Sequence, residues 1–380
     1  MRAVQDRLIL ILCSLAWILS FSLLRAEDLR LTLPPVLYAV SGLPMSIYFD
    51  NIVLTEDPEA YQFEAECGLG TSDVRRWTLT AMDQDVGDHP LAIRVKDAQG
   101  QVVAHGSVTV RVTRHDAGDS RAFNILMVGD SLTNASYYPN ELAGLCAAPG
   151  NPALTFLGTH KPAGAAPSVA HEGYGGWKWA AFLTKFDAKT QGVTAGPLAP
   201  KTSSPFIFPG AQGKPAFNLD RYFQESCGGK RPEVVTFLLG INDCFGASPD
   251  YAEAQLTQID TVLDSADQLL AKFHQAVPGA ALAVGLTTPP NSRESGFEAN
   301  YHGKYHRWGW KRIQHRLVER MIERLSGREA EQIYIVPTEL NLDPAGGYPE
   351  NNGVHPNPEG YAQIGASFYA WLKAWAATQP

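Results

Sequence analysis

The stretch FNILMVGDSL, residues 123–132, decides the reading of this chain. Five of the six residues from Phe123 to Val128 are apolar, four of them in an unbroken run from Ile125, which then stops at Gly-Asp-Ser. A run apolar on both faces suits a parallel strand covered by helices on each side, not a half-exposed antiparallel one. Three more runs follow: VVTFLLG at 234–240, AALAVGLTT at 280–288 and QIYIVPTEL at 332–340. Helical periodicity lies between and after them, at 252–277, 312–325 and 359–377. Strands alternating with helices predict a doubly wound, mainly parallel α/β sheet. In such sheets the working crevice opens at the carboxyl ends of the strands.

That rule picks out the residues directly after each apolar run. Gly129-Asp130-Ser131 follows the first, and Gly240-Ile241-Asn242-Asp243 follows the second. Between them lies a glycine-rich turn, HEGYGGWKWAAF, at 171–182. Close to the C-terminus, NNGVHPNPEG at 351–360 places His355 in a loop of Asn, Gly and Pro just before the last helix. A serine hydroxyl becomes a useful nucleophile when a base takes its proton, and a histidine has the pKa for that task.

These four stretches, in this order and each on the expected element, resemble the SGNH (GDSL-type) hydrolases, in particular exported bacterial carbohydrate esterases. The resemblance spans about residues 123–375 and implies a flavodoxin-like sheet order. It further implies Ser131 as nucleophile, His355 as base, and an oxyanion hole built from the Ser131 N–H, the Gly176 N–H and the Asn242 amide. Gly175 competes with Gly176, which is favoured because it directly precedes Trp177. Asp130 and Asp243 read as structural. The chain departs from the family at one position, where Asn352 replaces an aspartate three residues before the histidine. An Asn carbonyl still accepts from the imidazole Nδ1–H. Asn352 is therefore expected to orient His355, with Glu350 or Asp343 as alternative carboxylates.

The resemblance implies a serine esterase, and the likeness of the long aromatic loops to those of exported bacterial members implies action on O-acetyl groups of carbohydrate. Tyr174, Trp177, Tyr301 and Trp308 are the aromatic residues expected to meet a sugar, with Trp179 and Trp310 as further candidates and core packing as the alternative for each. A lipase, thioesterase or acyltransferase with the same apparatus, and a non-catalytic glycan-binding protein, are the alternatives. Two long excursions, 184–226 and 287–310, are expected over the site.

Residues 27–115 read differently. Short runs rich in Val, Ile, Thr and Tyr alternate apolar and polar, and KDAQGQ at 96–101 reads as a hairpin turn. A β-sandwich accessory domain is expected there, joined by a polar linker at 116–122 to a hydrolase domain at 123–380; packing against the hydrolase is its favoured role, with glycan binding as the alternative. Residues 8–24 form an apolar run that ends at Leu-Arg-Ala, so 1–26 reads as a signal peptide and the protein as exported. The alternative is an uncleaved anchor; after cleavage no membrane insertion is expected. A formal net charge of −8 without a basic run argues against a nucleic-acid partner. No cofactor is expected, and no Cys/His spacing suggests a metal. Cys67, Cys146, Cys227 and Cys244 allow up to two disulfides in three pairings. The sequence leaves the oligomeric state open.

Overall fold

The computed structural model describes residues 29–189, 202–247 and 252–379. The expected signal segment 1–26 and part of the first excursion lie outside the described residues.

The N-terminal region carries seven strands: β1 (Val36–Val40), β2 (Pro44–Tyr48), β3 (Gln62–Glu66), β4 (Thr71–Ser72), β5 (Arg76–Thr80), β6 (Gly87–Lys96) and β7 (Val102–Thr113). They make two sheets, β1-β7-β6-β3 and β2-β5-β4. All pairs are antiparallel except β1 with β7. The turn between β6 and β7 closes through Asp97, whose carbonyl accepts the Gly100 N–H at 2.9 Å. Gly100 sits at φ +76°, a conformation glycine adopts without penalty. Leu91, Ile93, Val95, Val108, Val110 and Val112 alternate inward along β6 and β7, each 4 % exposed or less.

The second half is built on β8 (Ala122–Gly129), β9 (Ala153–Leu157), β10 (Glu172–Gly173), a small hairpin of β11 (Ile207–Pro209) and β12 (Pro215–Phe217), β13 (Val234–Leu238), β14 (Ala281–Gly285) and β15 (Ile333–Val336). Its helices are α1 (Ser131–Asn134), α2 (Tyr137–Ala147), α3 (Trp179–Thr184), α4 (Leu219–Ser226), α5 (Ile241–Cys244), α6 (Ala252–Ala276), α7 (Glu294–Tyr301), α8 (Arg307–Leu325), α9 (Thr338–Asn341) and α10 (Pro358–Ala376). The main sheet is parallel throughout, in the order β10-β8-β13-β14-β15. β9 pairs with the first half of β8 and β10 with its last two residues, so one edge strand is interrupted by the excursion 158–171. Counting β9 and β10 as one edge strand, the order is 2-1-3-4-5, the flavodoxin-like winding. Its switch point lies between β8 and β13. Every residue of β13 and β14 is buried, which accounts for their unbroken apolar sequence.

The run 332–340 is only half strand. It stops at Val336 because Pro337 has no N–H to continue the ladder, and α9 follows, with the Thr338 hydroxyl donating to the Leu286 carbonyl. The excursions carry their own structure: the first holds the β11–β12 hairpin and α4, the second holds α7.

The two halves share a polar, buried seam. Asn51, 2 % exposed, donates from Nδ2 to the carbonyls of Glu339 (2.7 Å) and Leu342 (2.9 Å) at the end of α9. Asn341 Nδ2 returns the contact to the Ser46 carbonyl at 2.8 Å. Lys311 of α8 donates to the Asp50 carbonyl at 2.7 Å and pairs with its carboxylate. Asn51→Ala should cost about 2–4 kcal/mol, because two buried carbonyls lose their donor together. A denaturant midpoint that drops without change in slope is the expected result.

Candidate active site

Four loops converge at the switch point. Gly129 ends β8, and any Cβ there would lie 1.9 Å from Thr133 Oγ1, so the tight turn into α1 requires glycine. Asp130 caps α1, its carboxylate accepting the Leu132 N–H at 2.9 Å. Ser131 therefore opens a helix, where a backbone N–H has no partner one turn back. Its Oγ lies 2.9 Å from His355 Nε2, although the two residues are 224 positions apart.

The ring of His355 is set by its own loop. Asn352 Oδ1 accepts the backbone N–H groups of Val354 (3.1 Å) and His355 (2.9 Å) and faces His355 Nδ1 at 3.3 Å. An amide oxygen cannot donate, so the proton sits on Nδ1 and Nε2 is left to accept from Ser131. Burial lowers the His355 pKa below the ordinary histidine value. The alternative carboxylates do not take Asn352's place. Asp343 pairs with Arg75 at 2.8 Å, and Glu350 is exposed. Asn291, fully buried and not anticipated from sequence, holds this loop from behind. Its Nδ2 donates to the carbonyls of Pro349 and Asn352 (2.9 Å each), and its N–H donates to Gly353 (2.9 Å). Gly353 lies against the Phe297 ring, where a Cβ would sit only 3.1 Å from three ring carbons.

On the other wall, Gly240 turns at φ +124° into α5, where a Cβ would lie 2.1 Å from Thr287 Oγ1. Asn242 follows, and its Nδ2 donates to the Trp177 carbonyl at 3.0 Å. That bond fixes which end of the amide is nitrogen, and the same amide stands close enough to the Asp130 carboxyl to hold down the pKa that burial raises. Gly176 has φ +79°, and among the described residues neither its N–H nor that of Gly175 has a hydrogen-bond partner. A Cβ at Gly176 would meet nothing in the protein, so the backbone conformation, not internal packing, calls for glycine there.

Behind this arrangement sit two buried carboxyls. Burial pushes Asp130 up to about 7, with the charge of Asp243 adding to it. Burial pushes Asp243 up to about 7 as well, opposed by Lys178. One oxygen of each has no partner among the described residues.

Of the aromatic residues expected to meet a sugar, Tyr174 and Trp177 are corrected. They are 2 % and 1 % exposed, packed on each other at 4.6 Å, and Trp177 packs on Phe182 at 4.8 Å. The Tyr174 hydroxyl donates to the buried Glu172, which also accepts from Tyr222 at 2.5 Å. Trp179 and Trp310 are also buried. Tyr301 is half-buried and stays available. It belongs to a cluster with Phe245 (5.6 Å), Tyr305 (5.3 Å) and Phe297 (5.8 Å). Phe245 follows α5 and Phe297 supports Gly353, so the cluster spans from the Asn242 wall to the His355 loop. Trp308 lies apart from it, half-buried beneath the Arg312 guanidinium. Tyr305 and Phe245 were not singled out in sequence; for Tyr305 the available signal was its place four positions past Tyr301 in the same aromatic-rich stretch.

A second serine–histidine contact lies nearby, Ser136 Oγ to His171 Nε2 at 3.0 Å. It has no catalytic geometry. His171 Nδ1 accepts the Gly173 N–H at 3.1 Å, so Nε2 carries the proton and donates, and both residues are wholly buried.

The sequence profile of the GDSL-like lipase/acylhydrolase family matches residues 125–368. The chain belongs to that family. This acylhydrolase also resembles several solved structures. A carbohydrate esterase family 3 enzyme from Talaromyces cellulolyticus is 17 % identical, with a TM-score of 0.41 over 68 % of this chain and 99 % of that one. Est24, a carbohydrate acetylesterase from Sinorhizobium meliloti, is 13 % identical, with a TM-score of 0.35 over 67 % and 100 %. The acetyl xylan esterase AlAXEase is 14 % identical, with a TM-score of 0.32 over 67 % and 100 %. With TM-scores below 0.5, these likenesses say nothing about what this acylhydrolase acts on. Among curated proteins no match is found.

The remaining expectations concern the wider chain. Cys67, Cys146, Cys227 and Cys244 are all free, so neither of the two allowed disulfides is formed. Among the described residues no helix is long and apolar enough to cross a membrane, and no His, Cys, Asp or Glu group is arranged to hold a metal ion.

Proposed function

We propose that this acylhydrolase is an exported serine esterase that removes O-acetyl groups from a carbohydrate polymer. The observation that carries the chemistry is the 2.9 Å contact between Ser131 Oγ and His355 Nε2, with the ring tautomer set by Asn352. His355 takes the Ser131 proton as Oγ attacks the ester carbonyl. The oxyanion is met by the N–H groups of Ser131 and Gly176 and by the Asn242 amide. His355 then protonates the departing sugar hydroxyl, leaving an acetyl-serine. Water, deprotonated by the same imidazole, releases acetate and restores Ser131. For the substrate, the half-buried Tyr301 and Tyr305 flank the crevice, and aromatic faces suit the C–H faces of sugar rings. The apolar N-terminal run supports export.

Acetate release from a panel of acetylated polysaccharides tests this reading, with Ser131→Ala as control. A nitrophenyl ester series of acetyl, butyryl and octanoyl gives the decisive contrast: rates that climb with chain length would defeat the acetylesterase and favour a lipase. Absence of covalent labelling of Ser131 by a fluorophosphonate would instead favour a glycan-binding protein without catalysis.

The pH profile carries a second test. The base works when neutral, so kcat/KM rises as pH passes upward through the His355 pKa. Burial lowers that pKa, and among the described residues no carboxylate pairs with the ring to raise it, so the acid limb should have its midpoint below about 6.5. Asn352→Asp places a negative charge beside Nδ1, favours the imidazolium, and should move the midpoint up by about 1–3 pH units. A profile that does not move would remove Asn352 from its assigned role.

A further inference from the structure

A cleft of about 610 Å³ lies between the N-terminal sheets and the loops that carry the candidate site, within the range of small-ligand pockets. We propose that it holds a segment of neutral glycan chain, some residues along the polymer from the ester being cleaved. This rests on the carbohydrate reading above and adds the polymer's charge class and the path of its backbone.

Three observations carry it. The first is connection. Ser292 and Ala345 form the hydrolase wall of the cleft. Ser292 directly follows Asn291, which holds Asn352 and Gly353, and its own N–H donates to the Pro344 carbonyl at 2.7 Å. Ala345 precedes Gly346 and Gly347, whose carbonyls accept the side chain (2.8 Å) and N–H (2.9 Å) of Asn357, two residues past His355. Both parts of that wall are thus tied by hydrogen bonds to the histidine loop.

The second is an apolar floor. Tyr61 and Phe63 are half-buried, and Phe63 is stacked on Phe49 at 4.9 Å with the rings within 8° of parallel. Rigid aromatic faces at the base of a polar cleft suit a sugar ring. Val74, at the rim, is 86 % exposed.

The third is charge. Glu56, Asp57 and Glu59 line the β side, and among the described residues their carboxylates have no ion-pair partner. The cationic groups in the cleft are Arg75, paired with Asp343, and Arg307, which donates to the Glu56 carbonyl at 3.3 Å. Carboxylates accept from sugar hydroxyls and repel a polyanion, so the composition fits a neutral chain and disfavours a uronate-rich or sulfated one.

The test uses the full chain. Isothermal titration of the Ser131→Ala protein with xylohexaose, mannohexaose and hexagalacturonate should show binding of at least one neutral hexasaccharide and none of the uronate. Adding Tyr61→Ala should weaken the neutral binding by about tenfold. In the otherwise wild-type enzyme, Tyr61→Ala should raise KM for acetylated polymer by a similar factor. Turnover of 4-nitrophenyl acetate, too short to reach the cleft, should stay within twofold and the melting temperature should hold. Equal hexasaccharide binding with and without Tyr61→Ala, binding of the uronate as tight as that of a neutral chain, or a parallel fall in both substrates with a lower melting temperature would each overturn the assignment. If the wild-type enzyme releases no acetate from any polysaccharide, the acetylesterase reading falls by itself. The cleft is then judged by the titrations alone.

Discussion

Ser131→Ala is expected to lower kcat for ester hydrolysis by about 10⁴-fold or more, with the fold and its thermal midpoint unchanged. Ser131 Oγ has one functional contact, His355 Nε2 at 2.9 Å, and its loss removes the atom to be acylated. His355→Ala should cost a similar factor, because an unassisted hydroxyl is a poor nucleophile at neutral pH. The double variant is the sharper measurement. Two groups that act as one unit are grossly non-additive, so removing both should cost little more than removing either. Losses that multiply would mean that the two residues do not work together. Unchanged hydrolysis in either single variant would show that the nucleophile or base lies elsewhere.

Asn242→Ala is expected to reduce kcat by about 100- to 1000-fold, with KM changed much less, since a donor aimed at the oxyanion acts chiefly in the transition state. The side chain also has a structural contact, its bond to the Trp177 carbonyl. A fall in stability alone would therefore not count in favour of the role. The distinguishing result is a drop in kcat measured well below the melting transition, at saturating 4-nitrophenyl acetate. A variant that loses KM and keeps kcat would place Asn242 in ground-state binding.

The main sheet was legible because its signals are local. A buried parallel strand must be apolar along its whole length, as in Val234–Leu238, and the turn after it must admit the chain, as at Gly129 and Gly240. Those two constraints bring residues 131 and 242 to one end of the sheet, while 176 and 355 join them in the sequence reading through the family resemblance. What sequence could not give is set by partners far along the chain. Tyr174 and Trp177 read in sequence as candidates to stack on a sugar, with core packing as the alternative. They are buried because Phe182, the Glu172 carboxyl and Tyr222 close over them. Asn291 looks like an ordinary loop residue until Pro349, Asn352 and Gly353 are found around it. The end of β15 at Val336 was local after all: Pro337 carried that signal within a run that otherwise reads as strand.

The seam at Asn51 has a consequence for anyone who would cut or recombine this chain. The end of α9 takes its donors from residue 51, and the ammonium of Lys311 takes its counter-charge from residue 50. A fragment starting at the GDS strand would leave two carbonyls and a cation facing a surface they were never built to meet. Catalysis grafted onto a new binding module therefore has to bring the first eighty-odd residues of β structure with it.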